Sequence, residues 1–352
     1  MTDLDNLAEL RLCDPQDMLG HISRLPQQCA EAWQNAQRSA LPERYRHARQ
    51  VLVLGLGGSA IGGDLVRTLA QPECAVPMLV NRDYTLPAFV GPETLVIASS
   101  HSGNTEETLL TAEAALAAGA MVVAVTTGGQ LAEWAAAHAL PVVRFTYPSQ
   151  PRAALGHSLI LVLGVLCKLG LVADKSADVQ EAIAVMSEWQ AEIAPGVPAV
   201  QNAAKGLASW LWGGLPIVYG AGYLSEVARR WKGQFNENAK SWSFFEQMPE
   251  LNHNAVAGFE APQAVSQTAR VIMLLSSLDH PRNRRRFEVT REILAARGIK
   301  CQTVEARGSS PLAQLLSMVH YGDYVSYYLA MLYQMDPTPI GNITYLKQRL
   351  SQ

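Results

Sequence analysis

The chain reads as an α/β protein of two tandem doubly wound parallel sheets with a helical extension at each end. Three observations say so. From Gln50 onward apolar strand-like runs alternate with helix-like stretches, the pattern of a parallel sheet covered on both faces. Two loops rich in glycine and hydroxyls, Gly55-Leu56-Gly57-Gly58-Ser59 and Ser99-Ser100-His101-Ser102-Gly103-Asn104-Thr105, each follow such a run and open a helix-like stretch. The same grammar then restarts at Leu215. A chain of 352 residues exceeds what one core usually serves, and 49% hydrophobic residues suffice for two.

Residues 1–48 show helical patterning broken by prolines, with Leu19, Ile22 and Leu25 on one face, and form an N-terminal helical extension. The first domain spans 49–170. Its strands are expected at Val51–Leu54, Pro77–Val80, Thr94–Ala98, Met121–Val125 and Pro141–Arg144, and its clearest helix at Thr105–Ala118, stopped by Gly119. A long apolar helix near His157–Leu171 and a linker around Ala194–Pro198 lead to the second domain, 199–352. There Leu215–Tyr219 runs into Gly220-Ala221-Gly222-Tyr223 and a helix with Leu224, Val227, Ala228, Trp231 and Phe235 at helical spacing. Arg270–Leu275, Ser276-Ser277-Leu278, a helix ending at Gly298 and Ile299–Val304 repeat the order seen from Thr94 to Val125. Two diverged copies of one unit result.

The loops predict a phosphate. At a strand tip that meets a helix N-terminus, unpaired N–H groups point outward and the helix dipole favours an anion. Ser59, Ser100, Ser102 and Thr105 add hydroxyl donors without charge, and Gly57 and Gly58 let the backbone come close. The second copy has Leu278-Asp279-His280-Pro281 where the first has its donors, so one phosphate site per chain is expected.

Composition excludes several classes. A net charge of −3 leaves no electrostatic footprint for nucleic acid, and the short run Arg282, Arg284, Arg285, Arg286 reads as a solvated helix face. The acidic N-terminus and the absence of an apolar block of spanning length predict no membrane association and a cytoplasmic location. Five scattered cysteines without C-x-x-C spacing suggest neither disulfides nor a zinc site, and no metal or cofactor is expected.

Four further clusters carry ionisable groups in small, polar settings: Arg152 and His157 in 151–157, Glu237 between Asn236 and Asn238, His253 between Asn252 and Asn254, and Lys347 near the C-terminus. Asparagines beside an acid or an imidazole are suited to orienting it in a polar pocket.

Together, the segments 56–64, 100–108, 151–156, 236–240 and 249–254 resemble the bifunctional phosphoglucose/phosphomannose isomerases, a family of tandem sugar-isomerase domains. The motifs run in order from about residue 51 to the C-terminus, and residues 1–48 contribute little. The resemblance implies aldose–ketose isomerisation of glucose 6-phosphate and mannose 6-phosphate to fructose 6-phosphate through an enediol. It implies Gly57, Gly58 and Ser59 beside the sugar, and Ser100, Ser102 and Thr105 as the phosphate clamp. Glu237 is implied as the base between C1 and C2, Arg152 as the cation at the enediolate, and His253 and Lys347 as the groups that open the ring. It also implies a homodimer in which His253 reaches the site from the partner.

Two positions depart from the family pattern. His101 stands where the family has a tyrosine, and its side chain is expected to point away from the anion. The hydroxyl associated with the mannose epimer falls at Thr338 or, in another register, at Ile340. A non-catalytic sugar-phosphate sensor is the alternative of a different class. An oxidoreductase built on the looser dinucleotide pattern Gly55, Gly57, Ala60 is another.

Overall fold

The computed structural model describes residues 2–350. The chain forms two compact units, one built from Arg24–Met186 with Gly308–Leu315, the other from residues 2–23, Ser187–Arg307 and 316–350.

In the first unit, β1 (Gln50–Leu54), β2 (Met78–Asn81), β3 (Thr94–Ser100), β4 (Met121–Thr126) and β5 (Val142–Arg144) make a wholly parallel sheet in the order β2-β1-β3-β4-β5. Strands β3 and β4 are buried along their whole length, as continuous apolar runs without alternation require. One face of the sheet packs Leu52, Leu54, Val96, Val122 and Ala124 against Ala112 and Ala115 of the helix Glu106–Ala117 and Leu131 of the helix Gly129–Ala137.

The second unit contains β6 (Leu215–Ala221), β7 (Phe244–Met248), β8 (Ala269–Leu275) and β9 (Lys300–Glu305), parallel in the order β7-β6-β8-β9. This is the first sheet's order without its last strand, so the repeat read from sequence is a repeat of topology. Its core joins Tyr219, Val271 and Met273 to Phe287 and Leu294 of the helix Pro281–Ala296. Strand β7 has no counterpart among the expected strands. As an edge strand it keeps Phe244 exposed and only Met248 buried, so it lacks the apolar run that betrays a central strand.

Residues 1–48 do not behave as one extension. Leu4, Leu10, Met18 and Ile22 are buried in the second unit, where Ser23 Oγ meets Tyr324 Oη at 2.9 Å and the Ile22 carbonyl lies 3.0 Å from His320 Nε2. The helix Leu25–Arg38 belongs to the first unit instead, packed on the helix Leu155–Lys168. The expected linker is likewise anchored. Lys205, 0% exposed, donates to the carbonyls of Pro195 and Val197 at 2.8 and 2.9 Å and to Asp5 at 2.8 Å.

One expectation from sequence is corrected. Pro151–Lys168 is apolar and long enough to cross a membrane, but most of it is buried, which makes it a core helix. The run escapes notice because Arg152 and His157 interrupt its apolar start.

His157 is itself part of that core. Its ring stacks on Phe145 with centroids 5.0 Å apart and tilts against Tyr147 at 5.2 Å, while Glu31 Oε2 stands 4.0 Å from Nε2. Burial dominates over Glu31 and pushes the imidazole down to about 4. In the unfolded chain a histidine takes up its proton near pH 6.5. Between those values the unfolded state binds a proton that the folded state refuses. Stability should therefore fall as pH drops from about 6.5 to 4, by up to about 1.4 kcal/mol per pH unit from this residue. Urea midpoints measured at pH 7 and pH 5 should differ, and His157→Phe should reduce the difference.

Candidate active site

A parallel sheet in the order β2-β1-β3-β4-β5 reverses direction of winding between β1 and β3, and the crevice at the carboxyl ends of those two strands is where such sheets bind ligands. Both hydroxyl loops lie there. Strand β1 runs through Gly55 into the helix Gly57–Ala70, whose cap residue Leu56 offers no side-chain hydrogen bond. Strand β3 runs into the helix Glu106–Ala117, whose cap residue Thr105 offers none either. Two helix N-termini thus flank one crevice with their first N–H groups uncapped by side chains, the arrangement that binds an anion.

The loops hold each other. The backbone N–H of His101 donates to Ser59 Oγ at 3.2 Å, that of Gly103 to Ser100 Oγ at 3.2 Å, and that of Asn104 to Ser102 Oγ at 3.2 Å. Ser100 Oγ and Thr105 Oγ1 are 2.9 Å apart. A hydroxyl that accepts a backbone N–H keeps its own proton to give, so Ser59 and Ser102 are oriented without being used up, while Ser100 and Thr105 share one proton between them and leave one to give. Gly103, with φ +69°, makes the turn; a β-carbon there would collide with the Gly128 carbonyl.

His101 turns toward the protein, as expected. Its Nε2 lies 3.1 Å from the Tyr147 carbonyl and its ring meets Phe145 edge-on at 5.7 Å; burial lowers its pKa.

Arg152 sits in a 3-10 turn, Pro151–Ala154, directly before the helix Leu155–Lys168, and is 2% exposed. Gly58 lies against this turn so closely that a β-carbon would stand 2.8 Å from the Pro151 carbonyl group and 2.9 Å from the Arg152 nitrogen. Ser158 Oγ also reaches the Gly58 carbonyl at 3.3 Å. The first unit thereby brings Gly57, Gly58, Ser59, Ser100, Ser102, Thr105 and Arg152 to one end of its sheet.

The second unit carries Glu237, His253 and Lys347. Glu237 is the last residue of the helix Leu224–Glu237 and half-buried. Its neighbours hold the helix end in place. Asn238 donates to Ser326 Oγ at 3.0 Å, and Asn236 accepts from Ser243 Oγ at 2.8 Å. Both asparagines thus tie the end of this helix to other elements of the unit. Upstream, Arg230 and Gln234 both bond to the buried Asp323, at 2.9 and 2.8 Å. Lys240 Nζ donates to the Glu237 carbonyl at 2.6 Å and to the Pro337 carbonyl at 3.0 Å, which joins the end of the Glu237 helix to the stretch containing Thr338. Sequence reasoning passed over Lys240, although a lysine just beyond a helix C-terminus is where a cation meets unpaired carbonyls. Thr338 is buried, whereas Ile340 is half-exposed.

His253 closes the short turn Glu250–His253 and is exposed. Its asparagine neighbours again serve other side chains: Asn252 donates to Thr290 Oγ1 at 2.8 Å, and Asn254 donates to Glu250 Oε1 at 2.8 Å. Lys347 lies on the helix Gly341–Leu350, every residue of which is exposed, including Tyr345, Leu346 and Leu350.

The loop after β8 differs from its counterpart after β3 in a telling way. Asp279 Oδ2 takes the Ser276 N–H at 3.0 Å, Ser276 Oγ takes the Leu278 N–H at 2.9 Å, and His280 Nδ1 caps the following helix through the Arg282 N–H at 3.1 Å. A carboxylate and an imidazole nitrogen thus take N–H groups of this loop and its helix start, whereas the helix after β3 has no side-chain cap. Burial raises the Asp279 carboxyl to about 6.

Residues 200–350 match the model of the bacterial phospho-glucose isomerase C-terminal SIS domain. Over 336 residues the chain is 42% identical to a bifunctional phosphoglucose/phosphomannose isomerase of Caldicellulosiruptor bescii, covering 95% of this chain and 99% of that one. A protein of the same description from Aquifex aeolicus is 34% identical over 86% of this chain and 90% of its own length. Among solved structures, a hypothetical protein from Thermus thermophilus shares the fold with a TM-score of 0.74 at 18% identity, over 98% of this chain and 94% of that one. The sequence likeness spans nearly the whole of both chains, and this chain belongs to the bifunctional phosphoglucose/phosphomannose isomerase family.

Proposed function

We propose that the protein interconverts glucose 6-phosphate and mannose 6-phosphate with fructose 6-phosphate, and that its own side chains carry every proton transfer. The observation that carries this reading is the crevice between β1 and β3, with two uncapped helix N-termini, four oriented hydroxyls and a buried arginine next to it, in a chain of this family. Nothing favours the non-catalytic alternative.

The two aldoses differ only at C2, and loss of the C2 proton from either yields the same enediol. One base therefore serves both. In this reading the clamp holds the phosphate, remote from the reacting carbons, and its binding energy positions them. His253 and Lys347 open the ring by giving and taking protons at the ring oxygen and O1. Glu237 moves the proton between C2 and C1, and Arg152 balances the charge that develops on the enediolate oxygens. Proton movement alone converts aldose to ketose, so the reaction calls on no metal or redox cofactor.

The anchored end of the Glu237 helix supports its role, because a base must be held still. The buried position of Thr338, tied through Pro337 to Lys240, supports Thr338 over Ile340 as the hydroxyl near C2. His253 and Lys347 are exposed in the single chain, as expected of groups whose site is completed by a second copy. We accordingly read the active form as a homodimer with His253 supplied by the partner, acting in the cytoplasm.

Purified protein incubated with chelator and either aldose phosphate should form fructose 6-phosphate, and formation from neither would refute the activity. Glu237→Gln should lower turnover at least about a thousandfold while calorimetric binding of substrate persists. Ordinary turnover by that variant would remove Glu237 from the role of base. Mixing Glu237→Gln with His253→Ala chains should restore up to about a quarter of normal activity, because half the dimers would then hold one intact site. Two inactive variants that stay inactive after exchange would place His253 in its own chain's site.

A further inference from the structure

Gln28 is a fully buried amide, 1% exposed, on the helix Leu25–Arg38. Sequence alone assigns it nothing. In the folded chain its Nε2 donates to the Ala153 carbonyl at 2.8 Å and to the Tyr147 hydroxyl at 3.1 Å, and its Oε1 accepts the Gly156 N–H at 3.2 Å. Both amide protons and the carbonyl are thus engaged. The two backbone partners bracket the turn that carries Arg152 where it enters the helix Leu155–Lys168.

The contact is close by construction. A β-carbon on Gly156 would stand 2.6 Å from Gln28 Cβ, and eight residues further along both helices Ala36 lies against Gly164. Gln28, Ala32 and Ala36 form one buried stripe, and small residues on the facing helix bring the amide within reach of the turn.

A chain of hydrogen bonds leads from the same amide to the phosphate loops. Tyr147, whose hydroxyl accepts from Gln28, offers its carbonyl to His101 Nε2, and the His101 N–H donates to Ser59 Oγ. The Arg152 turn in its turn abuts Gly58. Ser59, Gly58 and the Arg152 turn are therefore linked to one side chain.

We propose that Gln28 is a positioning residue for catalysis, which sets Arg152 against the phosphate loops; this rests on the role of Arg152 given above. The amide fits the task uniquely. Leucine would fill its volume but release the Ala153 carbonyl and the Gly156 N–H, and a glutamate carboxylate could accept from Gly156 but could not donate to Ala153 until protonated.

The test is steady-state kinetics of full-length Gln28→Leu, Gln28→Glu and Arg152→Ala on glucose 6-phosphate. Gln28→Leu should lower kcat by about tenfold or more with KM changed less than about threefold, since the phosphate clamp stays in place while the arginine shifts. Gln28→Glu should gain activity as pH falls from 8 to 6, beyond any change in the unmodified protein, because protonation restores a donor to the buried carboxyl. Normal kcat in Gln28→Leu, or a loss confined to KM, would overturn the proposal. Should Gln28→Leu not fold, the Gln28→Glu profile decides, and a profile parallel to that of the unmodified protein overturns it. Arg152→Ala separates the two levels. Undiminished turnover there would refute the role of Arg152 itself, whereas loss there with intact Gln28 variants refutes only the role of Gln28. Adding Gln28→Leu to Arg152→Ala should cost little further activity, and a full second loss would mean that Gln28 acts elsewhere.

Discussion

The site depends on two helices that begin without side-chain caps on either side of one crevice. In most helices a Ser, Thr, Asp or Asn satisfies the first N–H groups, and here neither Leu56 nor Thr105 does so. Such groups are costly to bury unpaired and are suited to an anion. The parallel sheet supplies the rest, because β1 and β3 are neighbours that point their carboxyl ends to the same edge, where both loops begin.

Around that crevice the protein uses polar groups mainly to hold other groups. Hydroxyls of Ser59, Ser100 and Ser102 accept backbone N–H groups, and those of Ser59 and Ser102 keep their own protons to give. Asn236 and Asn238 anchor the end of the Glu237 helix, and Gln28 spans the turn before the helix that follows Arg152. Catalysis by proton transfer tolerates little misplacement, so a site of this kind needs many residues that never meet the substrate.

The corresponding loops of the two units differ in how their N–H groups are met. After β3 the loop presents donors outward; after β8 the corresponding loop turns its donors onto Asp279 and its own serine. In the second unit the helix that ends at Glu237 is buttressed through Gln234, Asn238 and the buried Asp323.

Local sequence determined much of this. Central strands buried on both faces must be continuous apolar runs, so the repeated sheets, and with them the place of the hydroxyls of Ser59, Ser100, Ser102 and Thr105 where strand meets helix, were legible from the sequence. Edge strand β7 was not, because one of its sides meets solvent and its pattern carries no apolar run. Nor was the division of the first 48 residues, since a short amphipathic helix does not encode which apolar surface it will cover. The partners of Asn236, Asn238, Asn252 and Asn254 were not legible for a related reason: an amide bonds to whatever the fold brings near it, and its neighbours in sequence do not say what that is. Gln28 is the clearest case. Its partners lie more than a hundred residues away along the chain, and only tertiary packing, through a glycine small enough to admit it, turned an ordinary glutamine into the support of the Arg152 turn.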